Sequence, residues 1–88
     1  MKASEAYEVI RDAVEADPRR RIVDSFFDDQ NFGCFIISFE EDAKARSIVN
    51  DRGFVWLAEG FDGSGASITT VPSLNDADGP SLVEGLNL

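Results

Sequence analysis

No histidine occurs in this sequence and cysteine occurs once, at position 34. Without histidine, the Ser-His and Cys-His pairs of nucleophilic catalysis cannot be assembled from the chain. One thiol and no imidazole leave no structural zinc site within a monomer. A lone cysteine cannot form an internal disulfide, which is the usage expected of a cytoplasmic protein. Long apolar runs are missing as well: nothing approaches the ~18 residues that a membrane span requires. The opening segment MKASEAYEVIRDAVEA places acids where a signal peptide needs an apolar stretch.

Positive charge is the other scarcity. Eight Lys and Arg face 17 Asp and Glu, for a formal net charge of −9. After Arg52 there is no base at all, while Glu59, Asp62, Asp76, Asp78 and Glu84 follow. Such a field repels phosphate backbones and anionic membranes and attracts basic protein surfaces, so nucleic acid and membrane are not the expected partners. The same acidity also keeps a small protein soluble.

What is present fits one small domain. With 43% hydrophobic and 28% charged residues across 88 positions, the chain has a globular composition and room for one core. Residues 4–16 space Tyr7, Ile10 and Val14 by three and four, the signature of an amphipathic helix, with Ser4 as the expected N-cap. Pro18 ends that helix near Asp17. RIVDSFF at 21–27 and FGCFIISF at 32–39 are β-branched and aromatic and flank the polar DDQN, which reads as a hairpin. Both faces of the second strand are apolar, so cover is expected on both sides.

Residues 39–50 are ambiguous. Ser38 with Glu41 fits a capping box, and Glu40–Lys44 and Asp42–Arg46 fit helical spacing. Against this, NDRG at 50–53 reads as a type I turn, and pairing of 46–50 with 54–58 is favoured. ASITTV then reads as an edge strand that Pro72 terminates, and Asp78 or Ser81 would cap a short last helix, SLVEGL. The expected fold is α+β over residues 1–88: an N-terminal helix packed on a four- or five-stranded antiparallel meander, with a short C-terminal helix.

RSIVNDRGFVWL, with FGCFIISFE before it, resembles a pattern in small bacterial proteins of the immunity or uncharacterised type. There, a strand with Arg and Val leads through an Asp-Arg-Gly turn into another strand. The resemblance covers residues 31–59, and Phe54 departs from it where a polar residue often follows the turn glycine. It implies a helix followed by an antiparallel meander, and an acidic domain that neutralises a toxin by binding it.

Other local motifs carry no chemistry. GFDGSGAS has the glycine spacing of a phosphate loop but puts Ala66 where its lysine must stand. DADG at 76–79, aligned as a calcium loop, puts Leu74 and Gly85 at ligand positions. Nothing nominates a catalytic pair among the carboxylates, and neither enzymatic activity, a cofactor nor a metal is expected. Cys34 reads as a small packed hydrophobe, and Arg19, Arg20 and Arg21 as internal charge balance.

Trp56 and seven phenylalanines exceed what one short helix can cover on two sheet faces. The C-terminal helix, a second copy of the chain or a foreign protein must therefore cover the remainder. The expected function is binding and neutralising a basic partner protein. Asp28, Asp29, Glu40, Glu41, Asp42, Glu59 and Asp62 would form the acidic surface, and Phe54, Trp56 and Phe61 the aromatic anchors. The alternative is a structural or regulatory homodimer.

Overall fold

A computed structural model describes residues 1–71 and 73–88 of the chain. The elements in chain order are α1 (Ala3–Glu15), β1 (Arg20–Asp28), β2 (Cys34–Glu41), β3 (Lys44–Asp51), β4 (Phe54–Glu59), β5 (Ser67–Val71), a 3₁₀ turn (Leu74–Asp76) and α2 (Gly79–Gly85). Among the described residues the five strands form an antiparallel meander in the order β1-β2-β3-β4-β5. The α+β architecture read from the sequence is therefore the one observed. The expected stop at Pro72 lies outside the described residues.

Helix α1 buries Ala6, Ile10 and Val14, one residue per turn, against the sheet. Its N-cap is Lys2 with no side-chain cap, so Ser4 lies inside the first turn instead of capping it. Tyr7 extends the stripe to an aromatic cluster, with its ring centroid 5.3 Å from both Phe27 and Phe35. At the other terminus Asp78 caps α2: its carboxylate accepts from the Ser81 amide at 2.9 Å while the Asp78 amide donates to Ser81 Oγ at 3.0 Å. These two bonds satisfy donors that a helix start would otherwise leave open.

Leu82 and Leu86 join Ala6, Ile10 and Val14 in the same core as Phe35, Ile37, Phe39, Ile48, Val55 and Leu57. Both helices thus lie on one face of the sheet, the inner face. Of the three candidates for covering the second face, the C-terminal helix is excluded: α2 is drawn to the inner side by burying Leu82 and Leu86 beside α1.

Two tight turns set the register. Between β2 and β3, Glu41 pairs with Lys44 across Asp42 and Ala43, whose φ values are 51° and 67°. Between β3 and β4, Asp51 pairs with Phe54 across Arg52 and Gly53, at 55° and 92°. Positive φ at both central residues is what a type I′ hairpin requires, so NDRG is not the type I turn expected from its sequence. The twist of the flanking strands selects the primed form. The helix considered for 39–50 does not form.

Buried Asn50 ties two turns together. Its Nδ2 donates to the Gly33 carbonyl at 2.9 Å and its Oδ1 accepts from the Gly53 amide at 2.9 Å.

Candidate functional site

Side chains alternate across a strand, so the register assigns each residue to a face. On the outer face, opposite the helices, Phe26, Ile36, Val49, Trp56 and Thr70 occupy one row across the five strands. Beside it, at the end bearing the β1–β2 and β3–β4 turns, lie Asp28, Cys34, Asp51 and Phe54. On the other side comes a row of smaller residues, Asp24, Ser38, Ser47 and Ala58.

The small row is covered by the loop that follows β4. The Gly60 amide donates to the Ala45 carbonyl at 3.1 Å, Ser38 Oγ donates to the Phe61 carbonyl, and Trp56 Nε1 donates to the Gly63 carbonyl at 3.3 Å. Gly63 has φ of 77°, and a Cβ there would lie 2.5 Å from Val49 Cγ2, so the backbone reaches the sheet only because this residue is glycine. Ser47 and Ala58 are fully buried beneath the loop.

The large-residue row remains partly open. Phe26 is 59% exposed, and Phe54 in the adjoining row is 44% exposed, with the Phe54 and Trp56 ring centroids 5.7 Å apart. A groove of about 320 Å³ runs along this region, floored by Ile36 and Val49, walled by Phe26 and Trp56, and closed at one end by Asp28, Cys34 and Asp51. Cys34, at the start of β2, is half-buried there, with its Sγ 3.8 Å from Asp51 Oδ1. On the helix side a larger depression of about 860 Å³ is lined by Lys2, Phe32 and Arg52 among others, with the Arg52 guanidinium carbon 5.2 Å from the centre of the Phe32 ring.

The expected binding residues separate into groups. Asp28, Phe54 and Trp56 are brought together at the groove, and Asp29 is exposed in the adjacent turn. Glu40, Glu41 and Asp42 lie at the opposite end of β2 and are engaged within the chain: Glu40 with Arg21 at 3.1 Å, Glu41 with Arg20, and Asp42 with Arg19 at 3.9 Å. Arg20 is the most buried of these cations and also donates to the Leu88 carbonyl at 3.1 Å. Arg19 also holds Asp17 at 2.8 Å, and its hydrogen bonds lower the Asp17 pKa to about 2.

Glu59 is exposed at the end of β4, and Phe61 and Asp62 lie on the covering loop. The Ser64 hydroxyl and amide both donate to Asp62, at 2.7 and 3.0 Å, and hold its carboxyl below the ordinary carboxylate value. Sequence reading misses Phe26, Ile36, Val49 and Asp51. The alternation in SFF, which turns Phe27 inward and Phe26 outward, is the available signal for the first. Asp51 reads as a turn residue within NDRG and is in fact the last residue of β3.

Among the described residues no group of three or more carboxylate or thiol side chains is placed to hold a metal ion, and no helix is long and apolar enough to cross a membrane. Comparisons with protein-family models, curated proteins and solved structures gave no match. The fold and the groove thus define a class in physical terms: a helix-backed antiparallel meander with an acid-rimmed, partly open outer face.

Proposed function

We propose that the protein is an acidic binding module that engages and neutralises a basic partner protein through the open part of its outer face. The observation that supports this reading is the groove itself, an apolar floor ending in Asp28 and Asp51, neither of which has a cation within 4.0 Å among the described residues. Apolar burial supplies affinity, and the surrounding carboxylates steer a cationic surface and select against acidic ones. Neutralisation of a basic toxin, as an immunity-type protein performs it, is the biological form this reading takes.

A homodimer through the same face is the competing reading. It would bury the same aromatic row, yet it would bring together two chains of net charge −9, and like-charge juxtaposition opposes association. The test is capture from native lysate with the tagged wild-type chain and with Phe26→Ser, a change at an exposed edge-strand position. The partner reading expects a basic protein that is retained at low salt, released as salt rises, and lost with Phe26→Ser. Recovery of the chain's own copies alone at both salts, matched by a dimer in sedimentation equilibrium, would replace it with the homodimer.

A further inference from the structure

We propose that the groove receives an arginine side chain of the partner, its stem laid along Ile36 and Val49 and its guanidinium held between Asp28 and Asp51. The assignment rests on the partner-binding reading above and names the group that reading leaves open. At about 320 Å³ the groove lies at the lower limit of the ~300–1,000 Å³ of small-molecule sites, a size suited to a side chain. Its floor is aliphatic, as the methylenes of a long cationic side chain require. Phe26 and Trp56 stand on either side, and aromatic faces attract a guanidinium.

The end of the groove decides between arginine and lysine. Asp28, Cys34 and Asp51 sit side by side on three successive strands, so the two aspartate Cα atoms lie two strand spacings apart, about 9.6 Å. A planar guanidinium with five N–H donors can fork toward carboxylates on both sides, whereas an ammonium is a compact point charge. The charge at this end is also uncompensated among the described residues. Asp17, Glu40, Glu41 and Asp42 each have an arginine within the chain, while Asp28 accepts from the Gln30 amide at 3.1 Å and Asp51 faces the Cys34 thiol.

Trp56 is the sole tryptophan and Cys34 the sole thiol of the chain, so the groove carries its own reporters. The experiment titrates the intact protein with acetyl-Leu-Arg-Leu-amide and with its lysine and citrulline counterparts. Trp56 emission and the rate of Cys34 alkylation are followed in the wild type, in Asp28→Asn/Asp51→Asn and in the distant control Asp76→Asn. The arginine peptide is expected to change the emission saturably and to slow alkylation. The citrulline peptide and the double variant should each weaken binding by about tenfold or more, about 1.4 kcal/mol, and Asp76→Asn should not.

An equal response to arginine and citrulline, an arginine response that survives the double variant, or no saturable response at all would overturn the assignment. Circular dichroism checks that the double variant, whose two positions lie at strand ends, is folded. The same variant separates the two readings. Capture of a basic partner that is lost with Phe26→Ser but survives Asp28→Asn/Asp51→Asn would refute the arginine pocket alone. The expected peptide pattern without any captured partner would support the pocket and refute the partner reading.

Discussion

Replacing Ala43 by glycine should make the protein more stable. Ala43 occupies the second central position of the β2–β3 turn with φ of 67°, a region where an L-residue with a Cβ is penalised by roughly 1–2 kcal/mol. Glycine removes that penalty but widens the unfolded ensemble, at a cost of about 0.4–1 kcal/mol. The expected net gain is about 0.5–1 kcal/mol, which for a chain of this size raises Tm by about 2–8 °C. Urea denaturation should show a higher midpoint at unchanged slope. Gly53→Ala is the mirror experiment. Gly53 has φ of 92°, and a Cβ at this position would meet nothing within 4 Å, so the substitution should cost about 1 kcal/mol through the backbone alone. A destabilised Ala43→Gly, or two variants moving in the same direction, would refute the idea that paired positive-φ residues close these hairpins.

Asn50→Ala should cost about 2–4 kcal/mol, because it strands the Gly33 carbonyl and the Gly53 amide together; a loss below about 1 kcal/mol in urea denaturation would mean that water replaces both bonds. Ser47→Ala should be neutral or stabilising by about 1 kcal/mol, since Ser47 Oγ is buried with no partner among the described residues, and a clear loss of Tm would contradict that. Gly63→Ala should lift the loop from Val49 and free Trp56 Nε1, seen as red-shifted tryptophan emission; an unchanged spectrum would show that the loop does not depend on this close approach. The carboxyls of Asp17, Asp62 and Asp78 are all held below their ordinary 3.8, the first at about 2. Depressed folded values stabilise the protein above the unfolded value, and this contribution disappears as pH falls through the folded ones. Tm should therefore drop between about pH 4 and about pH 2, and Asp17→Asn should flatten part of that drop.

The helices and strands are legible in the sequence where one local signal dominates. Tyr7, Ile10 and Val14 carry the helical period of α1, the β-branched and aromatic runs carry β1, β2 and β4, and Asp78 is a strong cap by chemistry alone. The β2–β3 turn is obscure because Asp-Ala is not a usual type I′ pair. Its flanks mislead too: Glu40 and Lys44 fit helical charge spacing, but Lys44 pairs across the turn with Glu41 and Glu40 with Ala45, and Ser38, which reads as a cap, instead bonds the Phe61 carbonyl. The cover of the outer face is hidden for a different reason. Ser38, Ser47 and Ala58 form a row of small side chains that admits a loop, but they become neighbours only once the register of three strands is known. Asp51 escapes notice by the same route, since its place beside Cys34 follows from register.

For the association proposed above, register favours the outer face over a sheet edge. The β1 edge is interrupted by a bulge between Ile22 and Asp24 and carries Asp24 and Asp28, features that discourage strand addition. The β5 edge offers only five residues. The face is differently built: one row is small and sealed by the chain's own loop, while the next is larger, apolar from β1 to β4 and partly open, most of all at Phe26. The loop reaches the sheet at Gly63 and stops short of Phe26, and the acids beyond have no internal cation among the described residues. An apolar row left open beside uncompensated carboxylates is poorly matched to another copy of the same acidic chain. The basic surface proposed as partner would supply both terms at once, apolar cover for Phe26 and Trp56 and counter-charge for Asp28 and Asp51.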